Sequence, residues 1–263
     1  MTASAPTSVS ARVEFRDWTY PLVARGDSFW GVFGIPLDAE AGEEPLRVTF
    51  HDADGTEIGD ATGTVEIIEV DLLPIDPISL DGEAALLLTE ETQQREDALR
   101  LVQFAQSDPE PAWTGPFLVP VSDVRVTTPF GSPRSYNERP VTSYHSGIDY
   151  AGAVGDPVMA AAPGRVTWTG EMPLRGHSVI IDHGAGVMTG YHHLSTIDVV
   201  DGDVVAAGDR IGGLGSTGLS TGPHLHWEVV VHRVNVDPSW WTFNSFLTGG
   251  SFTAPASTTP EQE

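Results

Sequence analysis

Thr221-Gly222-Pro223-His224-Leu225-His226-Trp227-Glu228-Val229-Val230-Val231 is the stretch from which the fold of this chain can be read. Its valines are β-branched and Gly222-Pro223 punctuate its start, so the segment reads as a strand that opens just after a turn. Side chains alternate across a strand, which puts His224, His226 and Glu228 on one face and Leu225, Trp227 and Val229 on the other. One face buries apolar surface. The other presents two imidazoles side by side, as ligands or as bases. A polar strand face that merely carries histidines would look the same, so the pair needs partners from elsewhere in the chain.

Composition narrows the choices. The 263 residues can hold one large domain or two ordinary ones. The formal charge is −24, and all 13 basic residues are arginine. Such a surface repels nucleic acid and anionic membrane, so neither is an expected partner. There is no cysteine, which excludes disulfides, thiolate nucleophiles and cysteine metal sites. Any metal must be held by His, Asp or Glu. No stretch approaches the ~20 apolar residues of a spanning helix. Residues 1–15 also lack the ~7–15-residue apolar core of a secretory leader, so an export route is not visible. The oligomeric state is not written in the sequence, and a monomer is the expectation.

Read in order, residues 1–10 are small and polar and are expected to be disordered. An N-terminal β-rich accessory domain follows over 11–107, with strand text at 13–15, 29–35, 46–50 and 65–70 and turn signals at Arg25-Gly26-Asp27 and Asp54-Gly55. A small antiparallel sandwich of immunoglobulin-like size fits this pattern. Thr89 is placed to cap a short helix carrying Glu90 and Glu91 in its first turn, with Ala98, Leu101, Val102 and Ala105 on one face. The X-Pro pairs of Ser107-Asp108-Pro109-Glu110-Pro111 suggest a linker over 108–116. A second β domain spans 117–248, and a small, polar, Pro/Thr-rich tail over 249–263 carries too little apolar surface to order itself. Within the second domain, Gly155-Asp156 and Gly202-Asp203 head two similar segments, as expected of turns joining short strands. The fold class is all-β: a compact antiparallel sheet domain preceded by a smaller sandwich-like domain with a short helix.

Eight of the nine histidines fall between 145 and 232. His145-Ser146-Gly147-Ile148-Asp149 offers an imidazole and a carboxylate four apart, which on a strand share a face, and Gly147 leaves room for close approach. Two histidines and one carboxylate are a known catalytic ligand set with an open fourth position. His145, Asp149 and one of His224 and His226 would complete it. In Tyr191-His192-His193-Leu194, strand alternation allows only one of the adjacent histidines to face such a site. His177 and His183 sit beside glycines and read as turn residues.

The segments HSGID, YHHLS and GSTGLSTGPHLHWE, in this order and spacing, resemble the LytM/lysostaphin-type family of zinc metalloendopeptidases, which cleave peptidoglycan peptides. The resemblance covers about residues 117–242. It implies a barrel-sandwich-type catalytic fold, one Zn2+ per chain held by His145, Asp149 and His226, and catalytic histidines at 193 and 224. It also implies peptidoglycan peptides as partners and an extracytoplasmic location (periplasm, cell wall or secreted). His192 stands where the family commonly has a small residue and is left outside the site. Some relatives of this fold have lost ligands and act as binding modules that regulate other cell-wall hydrolases. All five positions are filled here, which argues for an enzyme.

Other residues near these motifs have plainer readings. Glu228 shares a face with His226 and either orients its imidazole or pairs elsewhere in the sheet. Tyr191 and Trp227 read as core. Arg134 reads as a solvated loop residue rather than a contact for a substrate carboxylate. The sequence leaves open which peptide bond is cut and whether the N-terminal part covers the cleft.

Overall fold

The strand read from the histidine stretch spans His224–Val231 and lies inside an eight-stranded antiparallel sheet. Across the sheet the order is Val204–Val205, Gly164–Met172, Gly176–Asp182, Val187–Leu194, His224–Val231, Ile148–Ala151 and Val126–Thr128. Val234–Val236 pairs with the part of the 224–231 edge that Ile148–Ala151 leaves free. The computed structural model describes residues 2–4, 9–69, 73–247 and 251–253. Leu225, Trp227 and Val229 are fully buried, as their alternation requires. Yet His226 and Glu228 on the other face are buried too, so the strand is covered on both sides. Burying a carboxylate costs several kcal/mol unless charged partners meet it, and the covering layer must supply them.

The chain divides into two compact units. The larger consists of residues 34–37 and 71–245. Besides the main sheet it holds two three-stranded sheets. One is made of Pro157–Met159, Arg210–Gly213 and Thr196–Ile197, and the other of Ser143–Tyr144, Pro133–Tyr136 and Asp76–Ile78, the last pair parallel. The Gly-Asp turns anticipated from sequence are real. Gly155 and Gly202 take φ of 92° and 95°, and the following aspartates accept the backbone N–H three residues back, Asp156 from Ala153 at 2.6 Å and Asp203 from Val200 at 2.9 Å. A third copy, Gly208-Asp209, does the same with Ala206 N–H at 2.8 Å.

The helix announced by Thr89 spans Glu90–Gln103, and the Thr89 hydroxyl accepts from Thr92 N–H at 3.1 Å. A shorter helix, Gly82–Leu87, precedes it. The longer helix belongs to the larger unit, not to the accessory domain in which the sequence reading placed it. Its buried side also differs from the expected apolar stripe. Leu101 and Val102 are 59% and 68% exposed, whereas Glu96 is 1% exposed. The reason is electrostatic, because this face meets buried charges of the sheet described below. Phe104, just past the helix, packs with Met172, Ile180, Met188 and Val230.

The smaller unit comprises the described residues of 1–33, 38–70 and 246–263. Its strands run in the order Ser251–Thr253, Thr2–Ser4, Ser28–Trp30, Trp18–Arg25, Ser10–Phe15, Gly42–His51 and Glu57–Ile67. Strand Trp18–Arg25 changes partner half-way, pairing with Ser10–Phe15 up to Leu22 and with Ser28–Trp30 from Val23. Phe15, Trp30, Leu46, Val48 and Phe50 fill its core. Both termini, read as disordered, contribute a short strand. Thr2–Ser4 pairs in parallel with Ser251–Thr253 and antiparallel with Ser28–Trp30, so ladder hydrogen bonds supply the ordering that apolar surface does not. The rest of the polar tail, 254–263, lies outside the described residues.

Candidate metal centre

Strand register brings the motifs together. Asp149 pairs directly with His226, and Ala151 with His224, across the Ile148–Ala151 and His224–Val231 ladder. On the opposite edge His192 pairs with His226. His145 precedes its strand instead of lying on it, so even spacing is not what aligns it with Asp149. It is held by the turn around Gly131, through His145 N–H to Ser132 O and Gly131 N–H to His145 O, each 2.9 Å. Gly147 makes the approach possible, because a Cβ there would lie 2.3 Å from Trp227 O and 3.0 Å from His226 Cε1. Gly147→Ala is expected to cost about 1–3 kcal/mol of stability through overpacking. It should also weaken metal binding, since relief requires the His145 turn to move away from His226. Denaturant unfolding and chelator competition on the same variant check both effects.

His145 Nε2, Asp149 Oδ1 and His226 Nδ1 converge at separations of 3.0, 2.8 and 2.7 Å. Their outer atoms fix the tautomers. His145 Nδ1 lies 3.0 Å from Pro129 O, which can only accept, so Nδ1 carries the proton and Nε2 the lone pair. His226 Nε2 lies 3.0 Å from Glu228 Oε1 and carries its proton for the same reason, leaving a lone pair on Nδ1. Two imidazole lone pairs and a carboxylate oxygen therefore face one another with no proton among them. Such a set repels itself unless a cation sits at its centre, and its N/N/O composition suits zinc. All three residues are buried.

His193 and His224 stand next to this cluster with ring centroids 4.6 Å apart, and His193 is 6.1 Å from the His226 ring. Each gives its Nδ1 proton to a backbone carbonyl, His193 to Thr217 O at 2.7 Å and His224 to Gly222 O at 2.8 Å. Both therefore present a bare Nε2. The Nε2 of His224 is 3.8 Å from Asp149 Oδ1. Burial, above all, pushes both imidazoles below their ordinary value, so they are neutral bases at pH 7. A cleft of 710 Å³ reaches His193 and His226 and is walled by Arg134, Tyr136 and Tyr144 together with Thr89 and Gln93 of the helix segment.

Seven neighbours depart from the sequence reading or resolve it. His192 is not remote from the site. Paired directly with His226, it shares that face, its ring 5.6 Å from that of His226 and its Nε2 3.5 Å from Glu228 Oε2, while His193, with φ of +59°, breaks strand alternation and so reaches the site too. Gly190 was the available signal, since a Cβ there would meet His192 Nε2 at 2.4 Å. Arg134 is no solvated loop residue. It lies on strand Pro133–Tyr136, with Nη2 donating to Asp149 Oδ2 at 3.3 Å. Glu228 does touch His226, as above. Tyr191 and Trp227 are core, the Tyr191 hydroxyl accepting from Ala161 N–H at 2.8 Å. Of the two glycine-flanked histidines, His177 is the second residue of strand Gly176–Asp182, and His183 is fully buried, bonded to Pro163 O and Thr189 Oγ1 at 2.8 Å each.

Burial lowers His145, His183 and His192 to about 4. An unfolded chain would protonate these rings near ~6.5. Above that pH neither state binds the protons; between ~6.5 and ~4 the unfolded state binds them and the native state does not, so stability falls as pH falls. Thermal unfolding of the metal-free chain should shift to lower temperature between about pH 7 and about pH 5. An unchanged transition would contradict neutral burial of these rings.

Residues 143–238 match the sequence profile of Peptidase family M23. The DD-carboxypeptidase/endopeptidase Mpg of Neisseria meningitidis serogroup B is 42% identical over 122 residues, 45% of this chain and 27% of that protein. The peptidoglycan DD-endopeptidase ShyA of Vibrio cholerae serotype O1 is 41% identical over 107 residues, 41% of this chain and 25% of that protein. The chain thus matches about a quarter of the length of these relatives. A crystal structure from Pseudomonas aeruginosa assigned to peptidase M23 aligns over 92% of each chain with a TM-score of 0.61 and 25% identity. Profile, relatives and fold agree with the motif geometry: residues 143–238 of this chain carry a domain of the Peptidase family M23 type.

Proposed function

We propose that the chain is a zinc-dependent endopeptidase that hydrolyses peptide bonds in peptidoglycan stem peptides or cross-links, acting outside the cytoplasm. The observation that carries this reading is the set of inward lone pairs on His145, Asp149 and His226 beside two neutral histidines with bare Nε2 atoms. Bound zinc would polarise the scissile carbonyl and acidify a water. The chain supplies the rest. His145, Asp149 and His226 hold the ion and fix its position. His193 and His224 accept a proton from the attacking water at Nε2 and return one to the departing amine, so that water adds across the C–N bond. Their Nδ1 bonds to Thr217 O and Gly222 O keep each ring in the tautomer this needs. The cleft beside them has room for an extended peptide.

The names of the relatives favour a D,D peptide bond over a glycine bridge. No described helix is long and apolar enough to cross a membrane. The test is digestion of cross-linked muropeptides of both types by the zinc-loaded chain, read by mass spectrometry. Products of D,D cleavage support the reading. A chain that binds stoichiometric zinc and leaves both types intact would instead be a silent binding module.

A further inference from the structure

Glu228 is fully buried, yet besides His226 and His192 it is reached by Arg100, Arg175 and Ser146. Oε2 accepts from Arg100 Nη1 at 2.7 Å. Oε1 accepts from Arg175 Nε at 3.1 Å, Arg175 Nη2 at 2.5 Å and Ser146 Oγ at 2.6 Å. Arg175 in turn pairs with Glu96, whose Oε2 also caps the backbone N–H groups of Leu174 at 2.5 Å and Arg175 at 3.1 Å. Arg100 Nη2 donates to Asn235 Oδ1 at 3.0 Å, and Asn235 Nδ2 donates to Ser146 O, the residue after His145, at 3.0 Å. Two arginines and two glutamates thus form one neutral buried cluster that backs both His226 and the His145 turn. Glu96 and Arg100 lie one turn apart on helix Glu90–Gln103, outside the residues 143–238 that carry the family match.

We infer that helix Glu90–Gln103 is a working part of the metal centre, with Arg100 and Glu96 as positioning residues that hold the Glu228 carboxylate against His226 Nε2 and so aim His226 Nδ1 at the ion. The charges are what select this helix face for burial over Leu101 and Val102. Arg100 orients Glu228 Oε2 away from the ligand, which leaves Oε1 to His226, and it braces His145 through Asn235 and Ser146. Glu96 does the same at one remove by fixing the guanidinium of Arg175. The inference rests on the metal-centre reading above and adds to it a support that the matched domain alone does not contain.

The test is zinc affinity of the full chain, measured by competition with a chromophoric chelator, so that no catalytic turnover enters the readout. Arg100→Met is expected to weaken zinc binding by about 10–100-fold, the usual effect of losing a partner that orients a ligand. Glu96→Gln, which keeps the shape and removes the charge, should weaken it in the same direction and serves if Arg100→Met does not fold. Leu101→Ala, on the exposed side of the same helix, should leave the affinity unchanged. In a Glu228→Gln background, Arg100→Met should add little, because its route runs through Glu228. Wild-type affinity in both Arg100→Met and Glu96→Gln, or an equal loss in Leu101→Ala, would overturn the positioning role. A wild-type chain that takes up no zinc would instead remove the metal reading, and this inference with it.

Discussion

Replacing His226 with alanine is expected to abolish stoichiometric zinc binding and, with it, all measurable cleavage of muropeptides. His226 is central to the cluster in three ways. Its Nδ1 is within 2.7 Å of Asp149 Oδ1 and 2.8 Å of His145 Nε2. Its Nε2 connects the cluster to the buried Glu228. Its strand pairs with Asp149 on one side and His192 on the other. Removing the imidazole leaves two ligands, too few for the three that catalytic zinc sites take from protein. It also leaves Glu228 facing a void, so some loss of stability should accompany the loss of metal. Metal analysis after dialysis, together with mass spectrometry of digests, reads the outcome. Full activity in this variant would falsify the proposed mechanism.

His224→Ala and His193→Ala should each lower kcat by about 10²–10⁴-fold while zinc content stays at one per chain, the range expected for a lost general acid or base. The separation of the two effects follows from geometry. Neither ring belongs to the converging triad, and each is anchored from outside through a carbonyl bond at Nδ1. The double variant should be little worse than the single ones if the pair handles one proton between them, since residues acting as a unit are not additive. Loss of zinc in either single variant would reassign that histidine from proton carrier to ligand. KM for a defined muropeptide should change less than kcat, because the cleft walls at Arg134, Tyr136 and Tyr144 are untouched.

The register of the central strand explains why so much of the site is legible in the sequence. Alternation alone places His226 and Glu228 on one face and Leu225 and Trp227 on the other, and the structure keeps that division. Gly147 announces a close approach that the coordinates show against Trp227 O. Thr89 and the Gly-Asp turns act through bonds to residues three positions away, so local sequence suffices to find them.

The features that escaped such reading depend on distance in the chain. His192, paired directly with His226, faces the site by register, and His193 joins it as well because it adopts a positive φ at the end of its strand, a local break in alternation that no period predicts. Arg134 reaches Asp149 because strand Pro133–Tyr136 is paired with both Ser143–Tyr144 and Asp76–Ile78. The polar face of helix Glu90–Gln103 is buried because Arg175 and Glu228, 79 and 128 residues further on from Glu96 and Arg100, stand ready to neutralise it. What the sequence by itself determined are the candidate ligand types, the two faces of strand His224–Val231 and the turns, since alternation and turn chemistry act over a few residues. Only the tertiary structure decided which charges surround the metal centre and which face of the helix is buried. A buried charge is tolerable only where folding brings an opposite one to it, and that meeting is set by chain topology.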